Sequence, residues 1–284
     1  MRSPPCALAL QHESFRVTDE LRMNLGALRS AMQLTLHTHH ASRIWHGRAA
    51  SERRHGIIGL AGFVSIMAKM KRGAEQDDPY SDWWMLEIER KLDDTKTRLK
   101  VLREQIDQVL ADVPPELSLG ENLNVQPVKI PLFIGAQLGF LAVYLLADYD
   151  NLARRLMLAH HTALIDRHTL ERMLDEGSYL LRSTFALAQR YRYSGATRDD
   201  IAANNALARA AREQYGELPQ DVLEGTRRSR FAPPIMRRSA LGGPMPVSEG
   251  PPVNLDAPYA GIESEDGTSG ALTTMPADEV TSHE

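Results

Sequence analysis

Leu92, Thr95, Leu99, Leu102, Ile106 and Val109 follow one another at intervals of 3, 4, 3, 4 and 3. That spacing gathers apolar groups along one line of a helix while charged residues fill the rest of its circumference. Asp77-Asp78-Pro79-Tyr80-Ser81-Asp82 offers acidic caps and a first-turn proline at its start. Pro114-Pro115 stops it, because proline lacks the N–H that the helical ladder needs. A helix of this length must cover its apolar seam, so the chain is expected to be mainly α, a multi-helix domain. The seam can pack inside one chain or pair two subunits, and internal packing is the favoured reading.

Helical spacing recurs on both sides of this segment. Leu21, Leu25, Leu28, Met32 and Leu36 fall near one face and predict a helix over 21–44. A second apolar stretch covers 57–67, and further helices are expected over 135–161, 167–192 and 201–215. Thr197 and Asp199 are N-cap candidates before the last of these, and Gly216 is its C-cap. Between Val125 and Ile134 the texture changes to β-branched and partly alternating residues. Pro127 and Pro131 exclude a central strand there but allow an edge strand or a short paired ribbon. The uncharged run 130–147 is shorter than the ~20 residues of a spanning helix. It also holds Pro131, Gly135, Gln137 and Gly139, so a strand feeding a buried helix is expected, and no membrane partner.

Charge divides the chain. Positions 239–284 carry eight acidic residues and no Lys or Arg, with six Gly and six Pro. Such a stretch cannot bury enough surface to offset its ordering entropy, so a disordered acidic tail is expected. The first 20 residues are expected to be flexible, which leaves 21–238 as the folded domain. Residues 1–238 hold 33 basic against 29 acidic side chains, a net charge of +4. The single cysteine, Cys6, excludes a disulfide scaffold and a CxxC zinc site. The opening residues lack the apolar run of a signal peptide, and a cytoplasmic protein is expected.

Catalytic patterns are missing. The sequence has no GxxxxGK[ST], GxGxxG or GxSxG element, and it is not expected to be an enzyme or to carry a cofactor. His37-Thr38-His39-His40 has two histidines spaced to share a metal ion, but helix histidines without a metal are the simpler reading. Two arginine clusters stand out, one at Arg43, Arg48, Arg53 and Arg54, the other at Arg227, Arg228, Arg230, Arg237 and Arg238. The guanidinium fork suits phosphate, since two of its N–H groups can reach one phosphate together.

Several landmarks occur in an order that resembles a known family. They are Arg48, Asp77-Asp78-Pro79-Tyr80-Ser81-Asp82-Trp83-Trp84-Met85-Leu86-Glu87, Leu145-Leu146-Ala147-Asp148-Tyr149-Asp150, Ala159-His160, Thr197-Arg198-Asp199, Gly216-Glu217-Leu218-Pro219 and Ala232-Pro233. The set is similar to proteins of integrating conjugative elements grouped with the AcaB-like transcriptional activators. The resemblance implies a DNA-binding transcriptional regulator, an activator of conjugative transfer genes, working as a homodimer. It also implies a ribbon-helix-helix mode around 125–192, in which each of two subunits gives one strand to a ribbon that enters the major groove. Val128, Ile130 and Leu132 would then face inward, while Lys129 and Gln126 would read bases. Arg227, Arg228 and Arg230 would contact phosphates. The alternative is an interaction protein of the conjugation or element-maintenance machinery that does not touch DNA.

Overall fold

The structure, a computed structural model, describes residues 30–51 and 56–236. The expected flexible N-terminus, the expected disordered tail, Cys6, Arg53, Arg54, Arg237 and Arg238 lie outside the described residues.

The chain runs β1 (Met32–Leu36), α1 (His39–His46), β2 (Gly47–Arg48), β3 (Ile57–Ile58), α2 (Leu60–Glu75) and α3 (Pro79–Ala111). It continues as β4 (Val128–Leu132), α4 (Gln137–His161), α5 (Arg167–Ala188), α6 (Arg198–Ala202), α7 (Ala206–Tyr215) and α8 (Gln220–Leu223). At 33 residues, α3 is about 50 Å long. Its start follows the capping chemistry: Pro79 sits in the first turn and the Asp78 carboxylate accepts from Tyr80 N. Leu92, Thr95, Leu99, Leu102 and Ile106 are buried, and Val109 packs at the edge of the same core. They meet α2, α4 and α5 of the same chain, so the seam serves internal packing. Thr95, a hydroxyl inside that seam, meets the Thr184 hydroxyl of α5 at 2.8 Å, which satisfies both buried groups.

The α4–α5 contact depends on a missing side chain. A Cβ at Gly177 would lie 2.8 Å from the Tyr149 ring, so α5 can approach α4 this closely only with glycine there. Tyr149 is fully buried, and its hydroxyl donates to Leu174 O at 3.1 Å.

Two expectations are corrected. Residues 21–44 do not form one helix: 32–36 form β1, and helix α1 begins after its N-cap, Thr38. Met32, Leu34 and Leu36 alternate with Gln33 and Thr35, a period of two, and pairing with β4 fixes the strand. The helix expected over 201–215 is broken into α6 and α7, with Asn204 between them at φ 48°. Thr197 does cap α6, as one half of a reciprocal capping box with Asp200. Gly216, at φ 85°, ends α7 in a conformation that glycine adopts without steric cost.

Candidate nucleic-acid interface

β1 and β4 form an antiparallel two-strand ribbon, with Met32 opposite Leu132, Gln33 opposite Pro131, Leu34 opposite Ile130, Thr35 opposite Lys129 and Leu36 opposite Val128. Alternation divides it into two faces. Leu34, Leu36, Ile130 and Leu132 are buried in the core shared with the helices. Gln33, Thr35, Lys129 and Pro131 point the other way and are exposed, as is Phe133 just past the strand. Among the described residues, the side chains of Gln33, Thr35 and Lys129 make no hydrogen bond or ion pair.

A half turn about the central Leu34–Ile130 pair exchanges the two strands. Under it Gln33 takes the place of Lys129, and Thr35 the place of Pro131. Helices α1 and α2 follow β1, and α4 and α5 follow β4. One chain therefore holds two strand-and-two-helix halves whose strands pair with each other. The expectation that two subunits would each give one strand is corrected: β4 finds its partner upstream in its own chain. Leu34 and Leu36 fill the same core as Ile130 and Leu132, which fixes that pairing.

The turn from β1 into α1 is held by one carboxylate. Asp150, on α4, is 3% exposed and accepts from Thr38 N at 2.8 Å, Thr38 Oγ1 at 2.7 Å and His37 N at 3.1 Å. Thr38 in turn caps α1 by accepting from Ala41 N. On the outer side Asn124 clamps the same turn: its backbone N donates to His37 Nδ1 at 3.2 Å, and its Nδ2 to His37 O at 3.1 Å.

These contacts also place the histidines. His37 is occupied by Asn124, and His39 is exposed. Half-buried His40 has its pKa lowered, first by burial and then by neighbouring His39, Arg43 and Arg182, against a smaller pull from Asp175. Among the described residues no three His, Cys, Asp or Glu side chains converge as a metal site would.

Lys129 lies on the outer ribbon face, where the sequence put it. Val128 is half-exposed at the ribbon's end, unlike inward Ile130 and Leu132. Gln126 is exposed but precedes the ladder, in a turn closed by its own N–H donating to Asn124 Oδ1 at 2.9 Å. Gln33 and Thr35 were missed. Their signal was the two-residue alternation of 32–36, which also fits the helical spacing read across 21–44.

The arginines lie elsewhere. Asp82, on the first turns of α3, is fully buried. Arg228 grips it with two bonds, Nε to Oδ2 at 2.8 Å and Nη2 to Oδ1 at 2.9 Å. Arg198 reaches the same carboxylate at 2.7 Å, takes Asp77 at 2.6 Å, and also donates to the carbonyls of Val222 and Leu223. Burial works against the charge on Arg198, but its bonds to Asp82 and Asp77 outweigh this and raise its pKa. Ser229 donates to Glu89, and Arg230 pairs with Glu89 and Asp93 while lying 5.0 Å from the Phe231 ring centroid. Arg227 pairs with Asp221 at 3.3 Å. Residues 228–230 are thus stapled to the acidic stripe of α3 with Arg228 as a strut, whereas Arg227 is tied to α8, and Arg227 and Arg230 are still more than half exposed. Asp78 is buried as well: burial raises its pKa although Ser194, Ser81 and Tyr80 donate to it.

The fold and this surface define a class: a helical protein that builds a β-ribbon within one chain, with Gln33, Thr35 and Lys129 on its outer face unpaired among the described residues. A family model described as transcriptional regulator AcaB matches residues 24–236, most of the chain, and the chain belongs to that family. A crystal structure of selenomethionine-containing AcaB from uropathogenic E. coli matches with 13% identity and a TM-score of 0.45, over 70% of this chain and 100% of that one. No curated protein matches. No described helix is long and apolar enough to cross a membrane.

Proposed function

We propose that this member of a transcriptional-regulator family binds DNA through the outer face of its ribbon and activates transfer genes of an integrating conjugative element. The observation that carries the DNA-binding reading is the row Gln33, Thr35 and Lys129 on a two-strand ribbon, polar and unpaired among the described residues. The major groove admits such a ribbon. Lysine can donate to guanine O6 and N7, glutamine can bond adenine at N6 and N7, and threonine can bond a base edge or cover a thymine methyl. Gln126, next to the ladder, extends this set. Arg227 and Arg230 are the phosphate contacts of the reading, while Arg228 has its fork on Asp82 and serves to hold their segment. Activation and the conjugative setting come from the family resemblance.

A ribbon complete within one chain changes what a homodimer contributes. Two subunits are no longer needed to build one ribbon, so a dimer would bring two ribbons to two half-sites. Fluorescence anisotropy against labelled fragments from the element's regulatory regions, titrated in salt with competitor DNA, tests the reading. Competitor-resistant binding to one fragment is expected, and the saturation point separates one chain per site from two. Equal binding to all fragments, or none at moderate salt, would favour an interaction protein of the transfer machinery instead.

A further inference from the structure

A cleft of about 410 Å³ opens between the end of α3, the segment 113–122 and the outer side of α4. Its walls are mixed. Leu110, Leu117 and Leu158 give it apolar surface, Asn122 and Asn151 give amides, and α4 presents two adjacent arginines, Arg154 and Arg155. That size lies in the range of small-molecule sites.

The arginines are incompletely partnered. Arg154 is 17% exposed, and its nearest acidic oxygens are distant, Asp150 Oδ2 at 3.7 Å and Glu121 Oε2 at 3.9 Å. Arg155 forms an ion pair with Asp107 Oδ1 at 2.5 Å through Nη2, which leaves its Nε out of the contact. The Nε groups of both arginines are buried and have no acceptor among the described residues. A buried N–H left without an acceptor keeps its full desolvation cost, which an incoming oxygen anion would relieve. Carboxylate and phosphate are the groups whose paired oxygens fit the guanidinium fork.

We propose that this cleft binds a small organic anion, its carboxylate or phosphate head held by Arg154 and Arg155 and its body against the leucines. A concave site that sets leucines beside the two arginines suits a small molecule with an apolar body better than a DNA backbone. The site also adjoins the ribbon. Arg154 neighbours Asp150, the acceptor that fixes the turn at His37 and Thr38, and the lining segment continues through Asn124 into β4. Resting on the DNA-binding reading above, occupancy is expected to alter the affinity of the ribbon for its operator.

The test begins without DNA, so that the two readings fail separately. Thermal unfolding of the full chain is followed with acetate, inorganic phosphate, benzoate, citrate and adenosine monophosphate, each against chloride at matched ionic strength, with benzamide as the neutral counterpart of benzoate. At least one anion with an organic body should raise Tm by about 3 °C at a concentration tenfold above its Kd. Benzamide should not, and Arg155→Gln and Asn151→Asp should each abolish the shift. Asn151→Asp keeps both arginines and repels the anion, so it guards against a variant that merely misfolds. No shift with any of the anions, or a shift that survives both substitutions, overturns the proposal. So does a result in which no anion binds and Arg155→Gln weakens DNA binding equally on all sequences, which would make the pair a backbone contact. With the best anion present, anisotropy then shows whether the operator Kd moves; an unchanged Kd removes the regulatory step and leaves the binding site.

Discussion

The ribbon and the arginine-rich segment are both polar, yet they treat polarity in opposite ways. On the ribbon, Gln33, Thr35 and Lys129 stand on a two-strand frame, and their side chains make no hydrogen bond or ion pair among the described residues. In residues 227–230 every arginine already has an acidic partner, and Arg228 is locked on fully buried Asp82. A charge density that suggests a binding patch in the sequence is largely neutralised in the structure. The weaker-looking strand, with one lysine, keeps its side chains unpaired among the described residues. The comparison teaches that a contact candidate is judged by its unpaired donors rather than by its count of arginines.

Substitutions should separate the two regions. The largest effect is expected from Asp82→Ala, which leaves Arg228 without its carboxylate and Arg198 with Asp77 alone, and should cost about 3–5 kcal/mol in urea unfolding. At a temperature where that variant remains folded, its preference among DNA fragments should persist. Asp150→Ala removes the acceptor for His37 N, Thr38 N and Thr38 Oγ1 and should cost about 2–3 kcal/mol. Unlike Asp82→Ala it should also weaken DNA binding, because it loosens the turn that ends β1. Lys129→Ala should leave stability within about 0.5 kcal/mol yet lower discrimination between operator and other DNA by about 1–3 kcal/mol. Arg230→Ala removes an exposed pair worth about 1 kcal/mol or less; it should weaken binding to all sequences alike and reduce the salt slope by about one. Uniform loss for Lys129→Ala together with selective loss for Arg230→Ala would invert the comparison.

The smallest effect is a pH dependence. Burial lowers the pKa of His40 below its ordinary 6.5. The unfolded chain therefore takes up the proton first as pH falls, and stability contributed by neutral His40 is lost below about pH 6.5. His40→Gln should flatten that part of the Tm-against-pH curve, and an unchanged slope would assign it to another group.

Local chemistry made part of this molecule legible. The seam from Leu92 to Ile106, the stop at Pro114-Pro115, the caps at Asp78 and Thr197 and the turn at Gly216 are written in adjacent residues, and each is where the sequence puts it. β1 was not legible, because Leu28, Met32 and Leu36 continue a helical spacing while Met32, Leu34 and Leu36 alternate as a strand does. Only its partner, far along the chain, decides between the two. Arg228 was misleading for the same reason: its acceptor Asp82 lies 146 residues away, and no local pattern reveals a long-range ion pair. Lys129 was placed on the correct face because strand alternation is local, whereas Gln33 and Thr35 needed the pairing to be known.

The most direct test measures the specificity ratio, operator Kd against that of a scrambled duplex of equal length, for the wild type, Gln33→Ala and Lys129→Ala at one salt concentration, with Tm recorded for each. The ribbon account predicts a ratio reduced by about fivefold or more in both variants at unchanged Tm. A ratio equal to that of the wild type in both would contradict it.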